Sequence, residues 1–213
     1  MNNNFTDITV VIDRSGSMES CRSDAEGGLN AFIRAQAEQS GDVLLTLVQF
    51  DTEYEFVHRG VPIKDVPPYH LEPRGRTALY DALGRAINET GCRLAAMPEA
   101  DRPGLVLVAI VTDGEENSSR EFNGQQIRAM IERQTTVYSW QFTYLGANQD
   151  AFRAAGAIGI DAGSILNYNP TASDAAFRSL SAKASRMRSM AAAGMRAESA
   201  YTDDERKAAV EVE

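Results

Sequence analysis

The run GLVLVAIVT at 104–112 is apolar without a break, and no other stretch restricts the possible folds of this chain so tightly. It is far shorter than the roughly 20 residues that a membrane-spanning helix needs. A strand with one face in water alternates polar and apolar residues, whereas an unbroken apolar run is buried on both faces. The expected place for such a strand is inside a parallel sheet, with helices covering it above and below. TDITVVI (6–12) and DVLLTLVQF (42–50) read in the same way. YEFVHRG (54–60) alternates more clearly, and only Asp51, Thr52 and Glu53 separate it from 42–50, so the two should pair as an antiparallel hairpin.

Helical patterns fall between these strands. Residues 20–39 carry Leu29, Phe32, Ile33 and Ala37 on one stripe, and a Pro-rich connection at 61–76 leads to a helix at 77–96. The polar loop EENSSREFN precedes a helix at 124–134. TVYSWQFTYLG (136–146) is expected as a strand, with Tyr138, Trp140 and Phe142 at its alternate positions as core and face residues rather than a ligand box. A short helix near 148–156 and an edge strand at 165–169 complete an α/β body over residues 1–170. Strands alternating with helices in this way indicate a doubly wound, mostly parallel sheet.

Residues 171–196 form a separate amphipathic helix. Phe177, Leu180, Ala184, Met187 and Ala191 make a narrow stripe, surrounded by Arg178, Lys183, Arg186 and Arg188. The stripe either docks on the same chain or meets another one. Residues 197–213 are a polar, acidic tail.

The formal charge is −9, and from Thr171 onward 7 basic residues balance 7 acidic ones, so residues 1–170 carry all of it. A nucleic-acid surface needs a basic footprint, and none is expected on this acidic body. No apolar run is long enough for a membrane span. The start, MNNNFTDITVV, has neither a basic segment nor a cleavage site. Cys21 and Cys92 form no motif and read as structural helix residues in a reducing compartment, so a cytoplasmic location is expected.

Ligands of open α/β sheets bind at the carboxyl ends of the strands. Asp13, Ser15 and Ser17 follow the first strand, Asp113 follows the run at 104–112, and Thr77 opens a helix. These are hard oxygen donors without His or Cys, a set suited to Mg²⁺, with Mn²⁺ or Ca²⁺ possible, rather than Zn²⁺. The same residues have plainer uses: Asp and Ser build turns, and Thr77 could simply cap its helix. Asp81, Glu115 and Glu116 read as solvated or helix-stabilising charges, and His58 and His70 as structural or surface residues.

D-x-S-x-S at 13–17, Thr77 before a helix and Asp113 in VTDG together resemble the metal-ion-dependent adhesion site of von Willebrand factor type A domains. The resemblance covers most of residues 5–170. LTLVQFDTEY, RGRTALYDALGRAI and TDGEENSSRE look more narrowly like small stand-alone bacterial and phage proteins with this domain. It implies a three-layer Rossmann-like sandwich with strand order 3-2-1-4-5-6 and strand 3 antiparallel. Ser15, Ser17 and Thr77 would ligate the ion directly, and Asp13 and Asp113 would act mainly through bound waters. A protein partner would offer an Asp or Glu carboxylate as the last ligand. The function implied is a non-enzymatic, Mg²⁺-dependent protein-binding module. One alternative is a metal-dependent phosphohydrolase, since carboxylates at strand ends can hold Mg²⁺ for phosphoryl chemistry. Another is a structural component of a phage or bacterial assembly. A dinucleotide site is disfavoured, because no G-x-G-x-x-G follows the first strand.

Overall fold

A computed structural model describes residues 1–147, 151–169 and 173–209. In chain order its elements are β1 (Asn2–Asp13), α1 (Arg22–Ala37), β2 (Asp42–Phe50), β3 (Tyr54–Pro62), α2 (Leu79–Ala95) and β4 (Pro103–Thr112). They continue with α3 (Gly124–Tyr138), β5 (Gln141–Gly146), α4 (Ala151–Ala157), β6 (Ile165–Asn167), α5 (Ser173–Ala192) and α6 (Asp203–Ala208). The six strands form one sheet in the order β3-β2-β1-β4-β5-β6, in which only the β2–β3 pair is antiparallel. The architecture is the expected doubly wound sandwich.

Strand periodicity divides the core in two. Ile8, Val10 and Ile12 of β1, with Leu107, Ala109 and Val111 of β4, face α1 and α5. Val11, Val108 and Ile110 face the other way, toward α2, α3 and α4. β4 is buried on both sides, as its unbroken apolar run requires. Buried polar groups fix α2 on the sheet. Arg93 donates two hydrogen bonds to the Asp7 carboxylate, at 2.7 and 3.0 Å, and the Thr9 and Thr90 hydroxyls lie 3.1 Å apart.

The segment 136–146 departs from expectation. Helix α3 runs on to Tyr138, and Ser139 ends it in the left-handed conformation at φ 57°. The Ser139 and Trp140 amides both donate to the Gln134 carbonyl, which closes the helix without a glycine. The expected strand begins at Thr136, where β-branched residues favour that state, but these end-closing bonds prevail over local propensity. Tyr138 is therefore an exposed helix residue, while Trp140 and Phe142 are buried. The first helix also differs at its start, where a 3-10 turn at Gly16–Cys21 precedes α1. Among the described residues no helix is long and apolar enough to cross a membrane. Of the helix expected near 148–156, residues 148–150 lie outside the described residues.

Helix α5 lies along α1 and over the sheet, with Phe177, Leu180, Ala184 and Met187 fully buried. Gly28 makes room for this: a Cβ there would stand 2.5 Å from the Phe177 ring. Lys183 and Arg188 do not border solvent, because α5 is covered on more than its apolar stripe. Arg188 donates to the carbonyls of Gln36 and Ser40. Lys183 donates to Thr143 Oγ1 at 2.9 Å, and its ammonium sits 3.9 Å from the centre of the Tyr201 ring. The chain past α5 packs here too: Tyr201 is buried, Thr202 and Glu205 form a capping box for α6, and Glu205 receives Arg186 at 2.8 and 3.1 Å.

Burial pulls the Lys183 ammonium down to about 7, against the upward pull of Glu205. Its unfolded counterpart keeps the ordinary value of 10.5, so between these limits the unfolded chain binds the extra proton. Stability should therefore rise as pH goes from about 7 toward 10. Thermal melts of wild type and Lys183→Met across that range check this, since the rise should flatten in the variant.

Candidate metal site at the carboxyl ends of β1 and β4

The parallel register pairs Ile12 with Val111, which brings the ends of β1 and β4 side by side. Asp13 is wholly buried there. Its Oδ1 accepts the Ser15 amide at 2.6 Å, and its Oδ2 accepts the Thr112 hydroxyl at 2.6 Å. The two bonds fix the carboxylate and curl the chain after it, so Ser15 and Ser17 come to one side with their hydroxyls 3.1 Å apart. Ser17 in turn donates to Asp113 Oδ1 at 2.7 Å, which joins the β1 loop to the β4 loop.

Thr77 enters from a third segment. Its amide donates to Asn117 Oδ1 at 3.1 Å, and its carbonyl accepts the Asn117 amide at 3.0 Å. It does not cap α2: Ala78 holds the N-cap position, without a side-chain bond. The space around Gly114 displays the convergence. A Cβ there would meet Thr77 Oγ1 at 3.0 Å, Asp13 Oδ2 at 3.6 Å and Ser17 Oγ at 3.7 Å. All five expected residues thus gather about one gap, with Gly114 leaving it open.

A network beneath the gap holds these loops. Gly16 donates to the Gly75 carbonyl at 3.3 Å, and the Arg74 amide donates to the Arg14 carbonyl at 2.7 Å. The guanidinium groups of Arg14 and Arg74 both reach Asp51 Oδ2, at 3.0 and 2.7 Å. Gly75 has φ 70°, and a Cβ there would press to 2.9 Å from Thr52 Oγ1, so the tight approach needs glycine. On the far side Asp81 accepts the amides of Arg120, Glu121 and Phe122, and Glu116 accepts those of Tyr80, Ser118 and Ser119. Asp81 and Glu116 are therefore loop anchors rather than solvated charges, while Glu115 is exposed and pairs with Arg153.

Thr112, Asn117 and Asp51 escaped the sequence reading. Asp51 had a legible signal, a carboxylate directly after a buried strand, as at Asp13 and Asp113. Thr112 and Asn117 act through partners distant in sequence, and nothing local marks them.

Burial pushes the Asp13 carboxyl up to about 6; its bonds from Thr112 and Ser15 pull it down less strongly, and Asp113 adds to the rise. Burial also raises Asp113, against the bond from Ser17. Arg14 and Arg74 are turned to Asp51. Two carboxylates beside one gap, both raised by burial, are an electrostatic setting in which a bound cation gains. The spacing fits as well. Adjacent oxygens around an octahedral Mg²⁺ stand about 3 Å apart, and the Ser15 and Ser17 hydroxyls are 3.1 Å apart. Among the described residues no group of three or more His, Cys, Asp or Glu side chains is placed to hold a metal, so any ion here would rest largely on hydroxyls.

The remaining residues take no part. His58 is half-buried on β3 and lowered by burial, and the exposed His70 lies 3.3 Å from Glu26. Cys21 is buried, with its thiol pushed up to about 11 chiefly by burial, and Cys92 is exposed on α2.

A six-stranded sheet in this order, with one antiparallel edge and helices on both faces, is the von Willebrand factor type A fold. Solved structures bear this out. A von Willebrand factor type A protein from Catenulispora acidiphila is 15% identical with a TM-score of 0.57, over 85% of this chain and 43% of that one. Proximal thread matrix protein 1 from the mussel byssus, with a zinc-occupied MIDAS motif, is 16% identical with a TM-score of 0.57, over 88% and 46%. The manganese-loaded TRAP protein of Plasmodium vivax is 14% identical with a TM-score of 0.55, over 82% and 72%. The chain thus spans less than half the length of the first two. No protein-family model matches the sequence, and no curated protein does.

Proposed function

We propose that this chain is a non-enzymatic protein-binding module that depends on a divalent cation, with Mg²⁺ as the resident ion and Mn²⁺ or Ca²⁺ as substitutes. One observation carries the reading: Asp13, Ser15, Ser17, Thr77 and Asp113 converge from three segments on a gap that Gly114 keeps open. Ser15, Ser17 and Thr77 would hold the ion directly, and Asp13 and Asp113 through water. When bound, the ion supplies a Lewis-acidic position open to one more anionic oxygen. The three direct ligands are neutral and leave its charge under-compensated, so an Asp or Glu carboxylate of a partner protein suits that position. The commitment of Arg14 and Arg74 to Asp51 supports binding over phosphoryl transfer, because neither is turned to the gap to meet a phosphoryl group.

Calorimetric titration of the purified chain with Mg²⁺, Mn²⁺ and Ca²⁺ tests the metal half, with saturable binding of one ion per chain expected. No heat with any of the three would end the reading. Capture from lysate on the immobilised chain tests the rest, because a partner held in Mg²⁺ should be released by EDTA. Turnover of a generic phosphate ester that is lost with EDTA would replace the binding module with the hydrolase.

A further inference from the structure

At the opposite end of the sheet, where β4 begins, a cleft of about 540 Å³ opens between α2 and α3. Its size falls in the range of roughly 300–1,000 Å³ typical of small-molecule sites. Its floor is apolar, made by Ile87, Leu94, Val106 and Trp140, all nearly buried. Its lip is apolar too: of the five large apolar residues exposed among the described residues, Met1, Val137 and Tyr138 all line this cleft. Exposed apolar surface gathered at one concave place marks a binding site rather than scatter.

The charge of the lining is equally particular. It holds Arg102 and Arg133 and no acidic side chain, on a chain whose formal charge is −9. Arg102 donates to the carbonyls of Met97 and Ala95, which fixes it without neutralising it. Neither arginine has a carboxylate partner among the described residues. Gly91 widens the floor: a Cβ there would find nothing nearer than 4.0 Å, where it meets Gln134 and the Trp140 ring.

We propose that this cleft binds an amphipathic monoanion, a ring or short hydrocarbon chain bearing one carboxylate or sulfonate. Its apolar body lies against Trp140 and Val106, and its acid group meets Arg133 at the mouth. The site is independent of the metal rim, which lies at the other end of β4.

Trp140 is the only tryptophan, so its emission reports on this cleft alone. The probe is 1-anilinonaphthalene-8-sulfonate, titrated into the full chain under conditions where it melts cooperatively. Saturable energy transfer from Trp140 to the dye is expected, and decanoate should displace the dye. Decanol, of the same chain length, should displace it about tenfold less well, as loss of a charge-assisted hydrogen bond implies. Arg133→Glu should weaken decanoate by about tenfold or more. Gly91→Leu, which places a side chain in the cleft while favouring the helix, should abolish binding. Asp13→Ala should change nothing here. No energy transfer at saturating dye, equal displacement by decanol, or binding retained in both cleft variants would overturn the proposal. So would a dimer that Gly91→Leu dissociates, because the cleft would then be a contact between copies of the chain.

Discussion

Asp13→Ala should abolish divalent-cation binding and leave a folded protein of near wild-type stability at pH 7. Both halves follow from where Asp13 stands. The carboxylate accepts the Ser15 amide and the Thr112 hydroxyl at 2.6 Å each, so its removal releases the turn that presents Ser15 and Ser17. It also takes away one of the two negative charges at the gap, and the hydroxyls that remain are neutral donors. The stability half rests on the sign of its titration. Burial raises Asp13 from 3.8 to about 6, so the ionised form is disfavoured in the folded chain. Folding therefore loses stability as pH rises from about 4 to 6, by about 3 kcal/mol, an order-of-magnitude figure. Alanine removes that penalty but strands the Ser15 amide, at about 1–3 kcal/mol, and leaves the Thr112 hydroxyl only its longer bond to the Gly114 carbonyl, so the two effects roughly cancel. Calorimetric titration with Mn²⁺ and a thermal melt on the same samples check both. Undiminished binding in the variant would remove Asp13 from the site. A large loss of melting temperature would show that the carboxylate serves the fold first.

The legible part of this protein was the part written in local pattern. β4 declares itself by an unbroken apolar run, β2 and β3 by a three-residue connection, and the rim residues by oxygen-bearing side chains where apolar strands stop. Ser15 and Ser17 could be placed because alternate positions after a strand share one side. Groups whose meaning depends on a distant partner were not legible. Thr112 looks like the last residue of a strand until it is seen bonded to Asp13, 99 positions away. Asp81 reads as an ordinary first-turn helix charge, yet it anchors the loop at 120–122. The end of α3 failed for a different reason. A β-branched run there imitated a strand, and the left-handed residue that ends the helix is a serine, which carries little signal for that role. The basic residues of α5 are a third kind of failure. Lys183 and Arg188 look like a solvated face, yet the chain beyond α5 returns to cover Lys183, and Arg188 is buried against the end of α1.

Packing on α1 and the sheet makes α5 part of the core, and Phe177→Ala should show it with the largest stability loss of any single change considered. Phe177 is almost wholly buried against α1, in a seat that Gly28 opens by having no side chain. Truncating a buried phenylalanine to alanine costs about 3–5 kcal/mol, from lost burial and the cavity left behind. For a chain of this length that corresponds to a fall in melting temperature of about 10 °C. The cavity cannot easily collapse, because Gln36 and Arg188 bind the two helices together farther along, at 2.8 and 3.1 Å. Gly28→Ala tests the same contact from the other side, since its Cβ would stand 2.5 Å from the Phe177 ring and force it to move. In the double variant Gly28→Ala/Phe177→Ala the added methyl fills part of the space, so its loss should be smaller than the sum of the two single losses. If Phe177→Ala melts within about 2 °C of wild type, or if the two losses simply add, α5 does not stabilise the domain through this contact.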